Sequence, residues 1–203
     1  MKKRILSLAI SAALVLTMLP AGALAAGDKG TPPVYNKATG CYEISTPDQL
    51  LYLSGSWKDG APRDGHYVLT ADIDMSGVKG FKPIASKKDK GFIGTFDGQF
   101  HAIKGLRVEY EKKYAGLFGY VGNQDDQAYI KDVALLDCYV TGQQNVGALA
   151  GVNYGTITGC VVTGEVKCLD LSNSHTAGGI CGKLKEGEGP IVGHVEDCYI
   201  NAD

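Results

Sequence analysis

The chain has 203 residues, of which 20 are Lys or Arg and 22 are Asp or Glu, so its formal net charge at pH 7 is −2. A net negative charge is opposite in sign to the charge that a phosphate backbone attracts, and we predict no nucleic-acid partner. The composition includes 28 glycines. Turn residues recur along the chain and almost no window has the 3.6-residue helical period, which predicts an all-β protein.

The first 26 residues have the pattern of a secretory signal peptide. Residues 2–4 are basic, residues 5–19 are apolar, and Ala23 and Ala25 provide the small side chains of a cleavage region. The apolar run is shorter than the ~20 residues of a spanning helix, which argues against a retained membrane anchor. We therefore predict a signal peptide over residues 1–26, an extracellular or cell-surface location, and no integral membrane segment after cleavage. Loss of the three basic residues would change the net charge from −2 to −5.

Residues 27–63 are predicted to form an N-terminal cap that contains one short helix. Thr46 can cap this helix, the following proline suits its first turn, and Gln49 completes a capping box, so the helix is expected near residues 47–54.

Extended runs lie on both sides of this helix. They are residues 34–35 and 41–44, which flank a turn and predict a hairpin, residues 66–75, which alternate without error, and residues 92–98 and 101–110. The last two runs are joined by Asp97 and Gly98, a pair suited to positive φ in a tight turn.

Two repeated units alternate beyond residue 110. The first has small apolar residues bounded by glycine, at 115–119, 147–151 and 178–182, with its central apolar residues 32 and 31 positions apart. The second begins with Cys138-Tyr139-Val140, Cys160-Val161-Val162 and Cys198-Tyr199-Ile200. Repeats at this spacing predict a solenoid over residues 64–203, in which stacked coils lie ~4.8 Å apart.

Four strings in this region resemble bacterial surface proteins with GLUG repeats. The strings are YVLTADIDMSG, FKPIAS, FIGTFDGQFHAIKGLRV and AGLFGYVG, within a likeness that covers about residues 41–203. Such modules occur beside immunoglobulin A proteases and in adhesin-like proteins. The resemblance implies a right-handed parallel β-helix with a surface or adhesive role, and it carries no catalytic residues.

The repeat alignment identifies one candidate ligand-binding surface. It places Tyr139, Val161 and Tyr199 on the outward side of the strands, where they could form a shallow platform for a glycan or a protein. Ordinary packing on the strand surface is the alternative explanation.

The same alignment brings Cys138 next to Cys160. Neighbouring coils allow a disulfide between them, and an exported chain permits one. Buried free thiols that fill space in the core are the alternative. The cysteine spacing does not match a metal site, and we predict no metal and no cofactor.

Acidic residues were considered as catalytic or calcium-binding groups. Asp137 and Asp197 occupy similar repeat positions, with Gly159 between them, and solvated turn residues explain them better than a sugar-cleaving pair. Asp72 and Asp74 match the first half of an EF-hand calcium-binding loop, but the position that needs a bidentate Glu holds a proline. His101 is expected to make a structural hydrogen bond. We predict that the protein is not an enzyme.

These observations predict an exported cell-surface β-solenoid with a structural, display or adhesive role. The alternatives are a glycan- or protein-binding module with a defined ligand and a carbohydrate-active β-helix enzyme. Host or matrix glycans or proteins are the expected partners. Residues 195–203 begin a further coil without a capping element, so we expect a truncated solenoid that is part of a larger polypeptide.

Overall fold

A computed structural model describes residues 30–55, 61–170, 176–184 and 194–202. The predicted signal peptide lies outside these residues. Within them the fold is all-β, as predicted, with one α-helix and one short 3₁₀ turn at Lys88–Lys90. No helix in the described part of the chain is both long enough and apolar enough to cross a membrane.

The strands form three sheets. Sheet 1 has the order β1-β2-β3-β5-β9-β12-β16, with strands Val34–Asn36, Cys41–Ile44, His66–Leu69, Thr95–Asp97, Tyr129–Lys131, Thr156–Thr158 and His194–Glu196. Sheet 2 has the order β17-β13-β10-β6-β4, with strands Tyr199–Ala202, Val161–Cys168, Ala134–Gly147, Ala102–Lys104 and Ile73–Asp74. Strands β7 (Arg107–Ala115) and β14 (Ala177–Gly178) also pair with β10. Sheet 3 has the order β15-β11-β8, with strands Cys181–Leu184, Ala150–Asn153 and Phe118–Val121.

The chain visits the three sheets in a repeated order. Strands β9, β10 and β11 lie in sheets 1, 2 and 3, and β12, β13 and β15 follow the same order. Among the described strands, every pair is parallel except β1 with β2, which form the predicted hairpin. We use "circuit" for one pass through the three sheets.

The predicted helix is confirmed as α1, Pro47–Leu53. Thr46 Oγ1 accepts a hydrogen bond from the Gln49 backbone N–H, at 3.3 Å. Gln49 Oε1 accepts a hydrogen bond from the backbone N–H of Ser45, the residue before the cap, at 2.8 Å. Strand β2, just before the helix, pairs in parallel with β3, so a strand of the predicted cap extends sheet 1.

Side chains from all three sheets meet in one apolar core. Tyr67, Phe96, Ile130 and Ile157 are in register along sheet 1, and each is fully buried. Ile73, Ile103, Leu135 and Val162 form the corresponding row in sheet 2. Leu117, Leu149 and Ile180 are buried at sheet 3, where successive backbone groups hydrogen bond. The alignment of the first repeated unit is therefore confirmed.

One of the expected extended runs is divided between sheets. Residues 66–75 form β3 in sheet 1 and β4 in sheet 2, and the prediction of one continuous strand is wrong. The predicted inward face is correct, because Leu69 and Ile73 are both buried. The turn after Asp97 has positive φ at Gln99 and Phe100, not at Gly98, and it connects sheet 1 to sheet 2.

Candidate functional site

The predicted row of Tyr139, Val161 and Tyr199 is divided in the structure. Val161 is the register partner of Tyr199, but Tyr139 lies opposite Arg107 in β7 and Glu165 in β13. The repeat alignment is displaced here, because the structure pairs Val161 with Ala134 and not with Tyr139, five residues further on. A bulge in β10 adds one more residue of shift, since Leu135 pairs with Val162 but Cys138 pairs with Gly164. The single row that the repeat alignment placed here is therefore replaced by two separate positions.

Tyr139 lies at the centre of a charged surface, which we call the Tyr139 face (Arg107, Glu109, Tyr139, Glu165 and Lys167). The Arg107 guanidinium carbon lies 4.2 Å from the centre of the Tyr139 ring, and the Lys167 ammonium lies 5.6 Å from it. Both cations are within the range of a cation–π attraction. The half-buried ring is thus held by side chains from the strands on either side of β10.

Each cation of the Tyr139 face also has an acidic partner on its own strand. Arg107 Nη2 lies 2.9 Å from Glu109 Oε1, and Lys167 forms an ion pair with Glu165. The hydrogen bond from Lys167 to Glu165 raises the pKa of the lysine. The face therefore presents paired charges around an aromatic ring, and sequence reasoning had identified only the ring.

An open groove of about 580 Å³ lies beside this face. It is lined by Asp137, Cys138, Tyr139, Thr163, Gly164, Glu165 and Asn201. Carboxylate, hydroxyl and amide groups beside an aromatic ring can hydrogen bond to sugar hydroxyls or to a peptide backbone.

Val161 and Tyr199 form the second position. Val161 is half-buried, and Tyr199 is 62% exposed. Their row continues to Ala134, the register partner of Val161 on its other side. The role of either position in ligand binding is still a prediction.

The cysteines are also arranged differently from the repeat alignment. Cys138 lies opposite Gly164 and is therefore displaced along the strand from Cys160, which directly precedes β13. Cys160 is instead next to Cys198, which directly precedes β17. All six cysteines carry free thiols. Burial raises the pKa of Cys138 to about 11 and that of Cys160 to about 12.

The candidate acid pair is separated in the same way. Thr158 is in register with Lys131 and with Glu196, so the following residues, Asp132, Gly159 and Asp197, occupy equivalent positions, all with positive φ. Asp137 follows Leu136, the register partner of Lys104, and lies at the bulge inside β10. Asp137 and Asp197 are therefore not neighbours in equivalent coils.

The two carboxylates of the supposed calcium loop have protein partners. Asp72 accepts hydrogen bonds from the Ala102 backbone N–H, at 3.0 Å, and from the Lys104 ammonium, at 3.2 Å. The Ala102 hydrogen bond is the largest reason that the pKa of Asp72 is lowered. Asp74 accepts from the Ser76 backbone N–H and hydroxyl, which lowers the pKa of Asp74. Both groups stabilise turns between sheets.

Two histidines make side-chain contacts in the structure. His101 Nδ1 lies 3.4 Å from Asp72 Oδ1, which fits the structural role expected for it. His66 Nδ1 lies 3.4 Å from the thiol of Cys41. The pair follows from the register of β2 and β3, since Tyr42 is aligned with Tyr67.

A third ionic cluster fixes the corner after β5 and β9. Lys131 Nζ lies 2.7 Å from Asp97 Oδ2 and 3.9 Å from Asp132 Oδ2. The hydrogen bond to Asp97 raises the pKa of Lys131. Asp97 also accepts a hydrogen bond from the Gln99 backbone N–H, which explains why the Asp-Gly pair starts this turn.

Comparison with known proteins gives similarities at two levels. No family model matches the chain. It is 34% identical to halomucin of Haloquadratum walsbyi over 143 residues, which are 63% of the chain and 2% of halomucin. It is 32% identical over 101 residues to a "Putative Gly-rich membrane protein" of Evansella cellulosilytica, covering 45% of the chain and 11% of that protein. The chain thus spans a small part of these curated relatives.

One solved structure is similar in fold. It is the crystal structure of a "putative immunoglobulin A1 protease" from Bacteroides ovatus, with a TM-score of 0.60 and 21% sequence identity. The similarity covers 86% of this chain and 49% of that one. At this identity the likeness concerns the fold.

Proposed function

We propose that the chain is an exported module of a bacterial cell-surface protein and that it has a structural, display or adhesive role. The observation that carries the proposal is the stacking of equivalent strands. In sheet 2, β10 is paired in parallel with β6 and β7 on one side and with β13 on the other, above a continuous apolar core. Stacking of this kind builds an extended body that holds surface side chains at a fixed spacing.

The proposed winding is a right-handed parallel β-helix of the GLUG-repeat type. Parallel strands of one sheet that are joined by a crossover are right-handed in about 98% of cases. Successive strands of sheet 1, such as β9 and β12, are parallel and joined through sheets 2 and 3. The similarity in fold to a structure named as a "putative immunoglobulin A1 protease" supports the GLUG resemblance, because such modules occur beside these proteases.

Location at the cell surface is supported by the predicted signal peptide and by the relatives. One relative is named a membrane protein, and the matched regions are 2% and 11% of the two relatives. These proportions are consistent with one module of a larger polypeptide.

In this proposal the protein is not an enzyme. Sugar hydrolysis uses two carboxylates that face one substrate position. Asp132 and Asp197 are separated by the coil that holds Gly159. Asp137 and Glu165 both line the groove beside Tyr139, but Glu165 is held in an ion pair with Lys167. Asp132 itself lies near Lys131, within 3.9 Å. This arrangement favours structural roles for the acids.

An immunoblot of fractionated cells of the source organism tests the proposed location. With an antibody against residues 27–203, we expect a band in the cell-wall or envelope fraction. A cytoplasmic enzyme serves as the fractionation control. A band that stays with that control would contradict export and the surface role.

The groove beside Tyr139 favours a second candidate function, the binding of a glycan or protein ligand. Aromatic residues at the centre of an interface often contribute 2 kcal/mol or more, so Tyr139→Ser is expected to weaken binding about thirtyfold. Retention on a panel of immobilised polysaccharides and matrix proteins measures the effect. The same panel, assayed for released sugar, separates binding from catalysis.

Two matched variants make this binding test specific. Tyr129 is 45% exposed on sheet 1, so Tyr129→Ser should leave retention unchanged. Retention of Tyr199→Ser shows whether the second position contributes to ligand binding. Equal retention by the parent protein, Tyr139→Ser and Tyr199→Ser would exclude both tyrosines as ligand contacts.

A further inference from the structure

Two cysteines occupy neighbouring positions at the start of adjacent strands. Val161 and Tyr199 are register partners in β13 and β17, and the Tyr199 backbone N–H donates to the Cys160 carbonyl at 2.9 Å. Cys160 and Cys198 immediately precede these partners. Adjacent parallel strands are separated by about 4.8 Å, which lies within the range of about 4.4–6.8 Å between the Cα atoms of a disulfide.

The side chains of this pair meet on the inner side of the stack. Cys160 is fully buried and Cys198 is half-buried, and burial together with the neighbouring Cys198 thiol raises the pKa of Cys160. The Cys160 thiol also lies 3.3 Å from the Thr158 carbonyl oxygen. In the preceding coil the equivalent position holds Val133, which is fully buried. The two thiols thus continue a row of core residues.

The register excludes the other paired positions of the described strands. Cys138 lies opposite Gly164, Cys168 opposite Gly142, Cys181 opposite Ala150, and Cys41 opposite Asn36. In the described part of the chain, Cys160 and Cys198 are the cysteines that share one row.

We propose that Cys160 and Cys198 form a disulfide that joins the coil of β17 to the coil of β13. The bond replaces two S–H bonds, and the two protons and two electrons pass to an oxidant. The oxidant is a disulfide, either a small molecule or a thiol-disulfide oxidoreductase of the cell envelope, which is reduced to two thiols. The thiolate of the half-buried Cys198 attacks this disulfide first, which releases one thiol and leaves a mixed disulfide on Cys198. The Cys160 thiolate then attacks the Cys198 sulfur, forms the Cys160–Cys198 bond and releases the second thiol. The proposal depends on the proposed export only for the cellular source of the oxidant.

The bond would close the chain between residues 160 and 198. This segment contains β13, β14, β15 and β16, which extend all three sheets. Closing a long loop restricts the unfolded chain, so the oxidised protein should melt at a higher temperature than the reduced protein. The Cys198→Ala variant should melt at the same temperature in both conditions.

Peptide mapping of the full chain tests the pairing. The reduced protein is treated with oxidised glutathione, unfolded, alkylated without reduction and digested with trypsin. Cys160 then lies in the peptide of residues 132–167, together with Cys138, and Cys198 lies in the peptide of residues 186–203. We expect these peptides to be joined. The link should persist in Cys138→Ala, whose site is similarly buried, and disappear in Cys160→Ala and Cys198→Ala.

Alkylation of both Cys160 and Cys198 after oxidation of the parent protein would overturn the proposal. A link that survives in Cys160→Ala would also overturn it, since it would assign the bond to Cys138. The fractionation result is independent of this test. A link formed by oxidised glutathione in a protein found in the cytoplasm would refute export while supporting the paired geometry.

Discussion

Replacing Phe118 with Ala is expected to cost about 3–5 kcal/mol of the free energy of unfolding, a large part of the roughly 5–15 kcal/mol typical of a folded domain. The Phe118 side chain is fully buried where sheet 3 faces the core. Its ring centre lies 5.2 Å from that of Phe92 and 5.4 Å from that of Phe96, the latter edge to face. Its removal leaves a cavity and deletes both aromatic contacts. Urea unfolding followed by circular dichroism measures the loss.

Phe100→Ala is the matched control for this prediction. The Phe100 side chain is 83% exposed, and its replacement should change the free energy of unfolding by less than about 0.5 kcal/mol. Phe118→Leu should lie between the two, because it refills part of the cavity. Equal urea midpoints for Phe118→Ala and Phe100→Ala would mean that the three sheets do not share one packed core.

Local signals in the sequence predict individual elements well. The residues that cap α1 act on backbone groups within four positions, so Thr46 and Gln49 identify the helix without any tertiary information. The repeat centred on Leu117, Leu149 and Ile180 gives the correct register for sheet 3, because equal spacing places equivalent residues in successive circuits.

The corners of the circuit are harder to predict from alternation. Leu69 and Ile73 both point into the core, although one ends a strand of sheet 1 and the other begins a strand of sheet 2. A chain that turns a corner around the core keeps its inward residues inward. Periodicity therefore detects the buried face but not the break between the two strands.

The error at Cys138 has a different physical cause. The structure aligns Val133, Ala134 and Leu135 with the segment that starts at Cys160. The residue types of this segment are more similar to those of the segment that starts at Cys138, which is why the repeat alignment paired the two. An inward position accepts any small or medium apolar side chain, so Val and Cys are interchangeable there. One extra residue in β10 then shifts everything that follows it.

Prediction of the candidate site is limited by the same uncertainty in the register of β10. Tyr139 was identified from its residue type and its outward direction, both of which depend on neighbouring residues. Arg107 and Lys167 were not, because their contact with Tyr139 depends on pairing between β7, β10 and β13 across the bulge. Surface groups from different coils can be assigned to one site only when the register between the coils is known.

Gly164→Ala is expected to test that register directly, with a loss of about 3 kcal/mol or more in the free energy of unfolding. Gly164 has φ of +132°, and it lies opposite Cys138 at the bulge. A methyl group there would lie 2.5 Å from the Cys138 backbone nitrogen and closer still to its carbonyl oxygen. These are backbone atoms of the adjacent strand, so β10 and β13 would have to separate. Urea unfolding again measures the change.

Gly40→Ala isolates the steric part of this effect. Gly40 also has positive φ, at +72°, but no heavy atom lies within 4 Å of the position that its Cβ would occupy. Its replacement should cost about 1 kcal/mol, from backbone strain alone. The excess loss in Gly164→Ala then reports the contact between coils at the bulge. If the two variants lose equal stability, Gly164 does not contact Cys138, and the register of β10 with β13 at the bulge would have to be abandoned.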